Sequence, residues 1–377
     1  MIHKINHSIL VINSGSSSIK FQLFKQERLQ LLAKGKIVNI NTAPLFKAIE
    51  THSKQEKIQQ TEIKLPDEYT YKEALNYILS WIEAHFNQWK IGCVAHRVVH
   101  GGHYFSNSVQ ISSEVLSKLK NLCSLAPLHQ PHNLTAIELL EELKPDITQI
   151  ACFDTAFHSG HSRLFIEYAL PEALRYKGIR RFGFHGLSYE WLVYKLRKCE
   201  PELAKGRVIA AHLGNGASLC AIKNGISIDT TMGMTALDGL PMGTRCGNLD
   251  PGVILYILKE LGMTTDELER MLYHESGLKG LSAWTNDVRL LEASDNQDAK
   301  FALEYFCMKT AQYIAMMAVS LGGIDGIVFT GGIGENSELI RQYILRRLDF
   351  LKPFEIRIIK TNEEKIMAMH AIQMIEE

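Results

Sequence analysis

The feature that most constrains this chain is a pattern it uses twice. An apolar run rich in β-branched residues, Ile9-Leu-Val-Ile12, closes on a turn of small polar residues, Asn13-Ser-Gly-Ser-Ser-Ser18, and Lys20, Phe21, Leu23 and Phe24 resume an extended stretch. The first run suits a strand buried on both faces. The turn offers hydroxyl and N–H donors of the kind phosphate oxygens accept, and Gly15 is expected to supply a φ angle that a bulky residue would resist. A serine-rich hairpin without a ligand is the alternative, because turns favour Gly and Ser in any case. Far downstream, Val208-Ile-Ala-Ala-His-Leu213, Gly214-Asn-Gly-Ala-Ser218 and the run 219–222 repeat the layout. This points to an internal duplication, against two unrelated hairpins. A third glycine-rich turn, Gly331-Gly-Ile-Gly-Glu-Asn336, follows the apolar run Ile327-Val-Phe329 and opens a helix, where glycines let a flat ligand approach the backbone. The first turn is not a P-loop, since Gly15 and Lys20 lack the G-x-x-x-x-G-K-[ST] spacing before a helix. Three such turns in different halves predict two α/β domains facing across a nucleotide cleft.

Bulk properties permit this and exclude other classes. A length of 377 residues suggests about two domains. Basic and acidic residues balance at 41 each, so nothing favours nucleic acid or an anionic membrane as partner. The 7 cysteines form no C-x-x-C, which argues for reduced thiols and a cytoplasmic protein. The stretch before the first strand is too short for a signal peptide, and no apolar run reaches spanning length.

Along the chain, residues 29–40 read as a further strand pair and 41–70 as a polar surface excursion. Helical spacing marks 71–86, 114–125 and 134–143. Residues 91–98 read as a strand ending near Gly101 and Gly102, with Arg97 and three histidines beside it. A zinc site at His96, His100 and His103 is allowed only loosely by their spacing, and ordinary hydrogen-bonding histidines are favoured. The strand 150–153 carries Asp154 at its end, where α/β folds place active groups. A glycine-rich turn at 180–189 precedes an amphipathic helix, and a long loop, 232–251, holds Arg245. Three helical stretches follow, then a long helix, 300–321, apolar on most of its circumference and therefore expected to be buried. Met308, Met316 and Met317 on it are read as core packing. The tail, 362–377, reads as a final helix.

Together these stretches closely resemble the acetate kinases. The matching pieces are Asn13-Ser-Gly-Ser-Ser-Ser-Ile-Lys20, His96-Arg-Val-Val-His-Gly-Gly102, Pro127-Leu-His129, Phe153-Asp-Thr-Ala-Phe-His158, Phe184-His-Gly186, His212-Leu-Gly-Asn-Gly-Ala-Ser218, Met242-Gly-Thr-Arg245 and Gly331-Gly-Ile-Gly-Glu-Asn336. They occur in the family's order over nearly the whole chain. The resemblance implies an α/β fold of two duplicated actin-like, sugar-kinase-like and Hsp70-like ATPase (ASKHA) domains. It divides the chain into 1–152, with the tail 365–377 packing back on it, and 153–364, which carries most of the nucleotide site and the interface of a homodimer. It also implies the reaction ATP + acetate ⇌ ADP + acetyl phosphate, by direct in-line attack and with Mg²⁺, or Mn²⁺ in its place.

The resemblance also assigns residues. Arg97 and Arg245 supply forked donors to the substrate carboxylate and the moving phosphoryl group. His185 donates to an equatorial oxygen, and Asp154 holds Arg97 or the metal's shell. No deprotonating base is needed, because a carboxylate is already ionised at neutral pH. Ser16, Ser18 and Lys20 line the phosphates, with His129 as a secondary donor or a purely structural residue. Asn13 and Glu363 serve the metal, although Glu363 could equally be a solvated residue behind the helix cap Asn362. His212, Gly214, Asn215, Gly216, Asp287, Val288, Arg289, Gly331, Gly332, Ile333, Gly334, Glu335 and Asn336 border the nucleotide. Val99, Leu128, Phe184 and Ala236 form a small apolar pocket for the methyl group.

The chain departs from the family's pattern at two places. Ala236 stands where the acetate pocket usually has proline, and a looser pocket would admit propionate or butyrate, since each buried methylene is worth about 0.8 kcal/mol. The tail is also shorter than usual beyond Glu364. A non-catalytic actin-like nucleotide-binding protein is the rival of another class, but it would not need Arg97, Asp154, His185 and Arg245 together.

Overall fold

The computed structural model describes residues 6–51 and 59–376, so the readings of 1–5, of 52–58 within the excursion and of Glu377 lie outside the described residues. The chain forms two compact units, Met1–Ala156 with Asn362–Glu377, and Phe157–Thr361.

In the first unit, β1 (Asn6–Ser14), β2 (Ile19–Lys25), β3 (Leu31–Val38), β4 (Leu45–Glu50), β5 (Gln59–Lys64), β6 (Trp89–Val98), β7 (Val109–Gln110) and β8 (Thr148–Phe153) make one sheet in the order β5-β4-β3-β2-β1-β6-β8-β7. The short turn after β1 permits an antiparallel β1–β2 pair, while β1–β6 and β6–β8 are parallel. Parallel neighbours need a crossover, and the helices Tyr71–His85 and Gln130–Leu143 lie on those connections. Thr70 and Glu73 form a capping box at the start of the first of these helices. Its buried face, with Leu75, Ile78, Trp81 and Ile82, packs on Phe21 and Phe46 of the sheet.

In the second unit, β9 (Arg207–Leu213), β10 (Ala217–Lys223), β11 (Ile226–Thr230), β12 (Gly326–Thr330) and β13 (Glu355–Ile358) run in the order β11-β10-β9-β12-β13. This repeats β3-β2-β1-β6-β8 strand for strand: two antiparallel pairings, then two parallel ones. The fold class is therefore the expected one, α/β with the same five-stranded core occurring twice.

Several local expectations need correction. Residues 29–40 hold the single strand β3, not a strand pair. The excursion contains β4 and β5; β4 buries Phe46 and Ala48, while β5 is polar apart from Ile63, which gave the stretch the look of a loop. The segment after the long loop breaks into Pro251–Lys259, Thr265–Arg270, Gly277–Ser282 and Val288–Glu292 where three stretches were expected. The long helix, Gln297–Leu321, buries one face only. Met317 is in the core, but Met308 and Met316 are 42% and 44% exposed, because the sheet and the neighbouring helices cover a single side. All 7 cysteines are free thiols. Among the described residues, no helix is long and apolar enough to cross a membrane.

Candidate active site

In the first unit, parallel pairing decides which charges meet. The register sets Arg97 on β6 opposite Cys152 on β8, so Asp154, just past the end of β8, falls beside the guanidinium. Arg97 donates from Nε to Asp154 Oδ1 at 3.0 Å and from Nη2 to Oδ2 at 2.6 Å. Arg97 is 20% exposed and Asp154 2%. Glu363 Oε2 lies 3.8 Å from Arg97 Nε. Glu363 is buried, so it is not the solvated helix-start residue of the alternative reading, while Asn362 caps its helix by accepting from the Lys365 N–H at 3.2 Å. Burial opposes the charge on Arg97 most strongly, but Asp154, Glu363 and Glu364 together outweigh it and hold the guanidinium protonated. Glu364 is raised above the ordinary carboxylate range by burial and then by Glu363, against the pull of Lys20 and Arg97.

The rest of this unit's set is positioned by backbone contacts. Asn133 accepts from the Val99 N–H at 3.1 Å and donates to the Ser14 carbonyl at 2.8 Å, tying the end of β6 to the end of β1. Gln130 brackets the backbone of His100 with two bonds of 3.0 Å. Both glutamine and asparagine belong to the first turn of the helix Gln130–Leu143, for which His129 is the N-cap. Asn13 sits opposite Lys20 across the β1–β2 hairpin. Ser16 is exposed and Ser18 half-buried. The turn is closed by the Gly15 N–H donating to the Ser18 carbonyl at 2.8 Å, and Gly15 does not take a positive φ, contrary to expectation. Val99 is buried and Leu128 half-buried.

The histidines do not form a zinc site. His96 is buried, and burial pushes its pKa down to about 4, while His100 Nδ1 accepts from the Gly102 N–H at 2.8 Å. Among the described residues, no group of three or more histidine, cysteine or acidic side chains is placed to hold a metal. The oxygen donors of Asn13, Asp154 and Glu363 suit a hard divalent cation that takes few protein ligands and keeps waters and phosphate oxygens.

In the second unit, His185 is the N-cap of the helix Gly186–Cys199, with φ 58. Such a backbone is strained for a residue other than glycine and holds the ring in place only because its surroundings fix it. Its ring stacks on His212, with centroids 4.2 Å apart, and its Nδ1 lies 2.9 Å from Ser218 Oγ. A side chain at Gly216 would begin 3.3 Å from His185 Nε2 and 3.8 Å from Arg245 Nη1, so both donors flank this glycine. Arg245 Nη1 also donates to the Ala236 carbonyl at 2.9 Å. Phe184 is buried and Ala236 half-buried.

A cleft of about 740 Å³ in this unit is lined by Asn215, Asp287, Val288, Arg289, Gly332, Ile333 and Asn336, among others. That volume is in the range of small-molecule sites. Asp287 caps the helix Val288–Glu292 and pairs with the Arg289 guanidinium at 3.0 Å. Gly331 requires its glycine: φ is +77, and a Cβ would lie 2.7 Å from the Leu213 carbonyl oxygen. Glu335 turns to the backbone, accepting from Gly331 N–H at 3.1 Å and Thr361 N–H at 2.9 Å. Gly214 donates to the Gly216 carbonyl at 3.0 Å, closing the β9–β10 turn. Gly334 is buried in the helix Gly331–Asn336.

Sequence reasoning left out Gln130, Asn133 and Glu364, together with Ser188, whose Oγ lies 2.9 Å from His212 Nδ1, and the buried pair Tyr189 and Ser218, whose hydroxyls hydrogen-bond each other. A glutamine and an asparagine three apart at a helix start carry a signal in hindsight, since both face the same side. The serines and Tyr189 carry none, because their partners come from other elements.

The family model for the Acetokinase family matches residues 8–365. An acetate kinase of Rhodopseudomonas palustris (strain TIE-1) is 45% identical over 348 residues, covering 91% of this chain and 86% of that protein. The crystal structure of a propionate kinase from Francisella tularensis subsp. tularensis SCHU S4 superposes with a TM-score of 0.89 at 36% identity, covering 97% of this chain and 98% of that one. The acetate kinase of Porphyromonas gingivalis superposes with a TM-score of 0.87 at 32% identity, covering 98% and 100%.

Proposed function

The chain belongs to the acetokinase family, and we propose that its reaction is the reversible transfer of the γ-phosphoryl group of ATP to acetate, giving acetyl phosphate and ADP. It is a phosphotransferase with a carboxyl group as acceptor. A carboxylate oxygen of acetate attacks the γ-phosphorus in line, forming the new P–O bond as the bond to the β-phosphate oxygen breaks, and no proton moves from the acceptor.

The observation that carries the mechanism is the pairing of donors at Gly216, where His185 Nε2 and Arg245 Nη1 flank a residue without a side chain. Phosphoryl transfer spreads charge over equatorial oxygens, and aligned donors stabilise that charge without reorganising. In this reading Arg97, fixed by Asp154, orients the acetate carboxylate through its remaining guanidinium edge. Ser16, Ser18 and Lys20 receive phosphate oxygens, with His129 as a further donor. The nucleotide lies along Asp287, Val288, Arg289 and the turn Gly331 to Asn336, with His212, Gly214 and Asn215 at its phosphate end. Val99, Leu128, Phe184 and Ala236 face the methyl group.

The family uses a divalent metal, which we assign as Mg²⁺, with Mn²⁺ able to replace it. Asn13 and Glu363 would hold it, and when bound it offsets charge on the terminal phosphates. Propionate is the second acceptor, favoured by one observation: Ala236 is small and half-buried where a proline would narrow the pocket. A homodimer is supported by the helix Pro251–Lys259, which has no buried residue while exposing Val253, Leu255 and Tyr256. A cytoplasmic location fits seven unpaired thiols.

The test is acyl-phosphate formation trapped by hydroxylamine, with Mg²⁺-ATP and acetate, propionate or butyrate in parallel. Acetate should lead. A lead by propionate or butyrate would move the substrate assignment, and no acyl phosphate with any acid would overturn the kinase reading.

A further inference from the structure

The side chains behind His185 fix more than its position. Tyr189 is fully buried one helical turn beyond His185 and hydrogen-bonds Ser218 Oγ. Burial pushes the phenol well above its ordinary pKa, so it stays protonated and has a proton to donate. Ser218 Oγ is the partner that the phenol proton meets.

Ser218 is itself fully buried, and its hydroxyl has two side-chain partners, Tyr189 and His185. Were Ser218 to accept from both, its own proton would have no acceptor, which is costly for a buried hydroxyl. A phenol is the stronger donor of the two hydroxyls, so the sense of the chain runs from Tyr189 to Ser218 and from Ser218 to His185 Nδ1. An imidazole whose Nδ1 accepts, and which is neutral, carries its proton on Nε2. Nε2 is the nitrogen that flanks Gly216 beside Arg245.

We propose that Tyr189 and Ser218 are positioning residues that hold neutral His185 in the Nε2–H tautomer, so that its ring presents a donor, rather than a lone pair, to the transferring phosphoryl group. The assignment rests on the kinase reading for its catalytic consequence, but the tautomer itself does not. With Nδ1 protonated instead, Nε2 would aim a lone pair at an anionic oxygen, and a stabilising contact would become a repulsive one. Water cannot perform this sorting, because the phenol and the serine are sealed from solvent.

The experiment uses the full chain labelled with ¹⁵N-histidine and long-range ¹H–¹⁵N spectra, in which His185 signals are identified by their loss in His185→Gln. The wild-type ring should show the Nε2–H pattern. Tyr189→Phe and Ser218→Ala should shift it toward a tautomer mixture, and kcat should fall about 10-fold while the KM values for acetate and ATP stay within about twofold. Ser218→Thr, which keeps the hydroxyl, should restore both pattern and kcat. Thermal melts confirm that each variant is folded. An Nδ1–H pattern in the wild type overturns the proposal, as does a folded Tyr189→Phe with wild-type kcat. Absence of turnover in the wild type would instead count against the kinase reading, with the tautomer still measured.

Discussion

Arg245 donates from Nη1 to the carbonyl oxygen of Ala236 at 2.9 Å, so a guanidinium proposed to stabilise the moving phosphoryl group is braced by the residue where this chain departs from the acetate-pocket pattern. The brace uses main chain only. The side chain at position 236 can therefore change without removing it, and pocket size and catalytic geometry can vary independently.

Ala236→Pro tests that separation. Proline keeps a carbonyl and adds volume to the pocket, so kcat with acetate should stay within about threefold while the propionate-to-acetate ratio of kcat/KM falls several-fold. Hydroxamate assays with both acids measure it, and an unchanged ratio would remove Ala236 from the pocket.

Asp154→Asn keeps the shape beside Arg97 but removes the charge. A buried pair broken on one side costs about 3 kcal/mol, with Glu363 at 3.8 Å as a partial substitute. Urea unfolding should show a loss of that order, and kcat/KM should fall about 10²- to 10³-fold. Arg97→Lys retains the charge and should lose catalysis with a smaller loss of stability, because lysine cannot make the two-point contact.

Gly331→Ala places a methyl group against the Leu213 carbonyl at a backbone with φ +77. The strain should cost about 1–3 kcal/mol, read as a lower Tm, and the KM for ATP should rise while that for acetate stays nearly constant. Equal changes in both would argue that the turn does not serve the nucleotide specifically.

His158 is buried and lowered to about 4, first by desolvation, with its bond to the Phe184 carbonyl acting in the opposite sense. Below its ordinary pKa the unfolded chain binds a proton that the folded chain refuses, so stability falls as pH drops from about 6.5 toward 4. The slope from this group reaches about 1.4 kcal/mol per pH unit. His158→Asn should flatten the stability profile by about that amount over this window and leave it unchanged above pH 7.

Leu255→Glu on the exposed helix Pro251–Lys259 should convert a dimer to a monomer in sedimentation velocity without lowering the helical signal of the fold. A wild-type monomer at micromolar concentration would end the dimer assignment.

Much of the fold was legible locally. The runs at 9–12, 208–213 and 327–329 are mostly apolar with β-branched residues in each, and a glycine follows each within three residues, so strand and turn follow from burial and local turn preference. The strands β4 and β5 were not legible, because β5 at the sheet edge is polar apart from Ile63, and β4 mixes Lys47 and Glu50 among its apolar residues, too weak an alternation to be separated from a loop. The circumference of Gln297–Leu321 misled in the opposite direction, since apolar residues such as Met308 and Met316 stand on a face that this chain alone does not cover.

The sequence by itself determined the repeated strand–turn–strand pattern, the family and the residue types available for chemistry. It could not determine which of those residues meet. Arg97 and Asp154 are 57 positions apart, and they are joined by the register of two parallel strands. Tyr189, Ser218 and His185 are joined by a helix start packing on a hairpin. Such contacts depend on long-range pairing set by crossover helices and core packing, and no local preference encodes them. Which protons those buried groups carry is decided last of all, because it depends on the whole set of partners that the tertiary structure assembles.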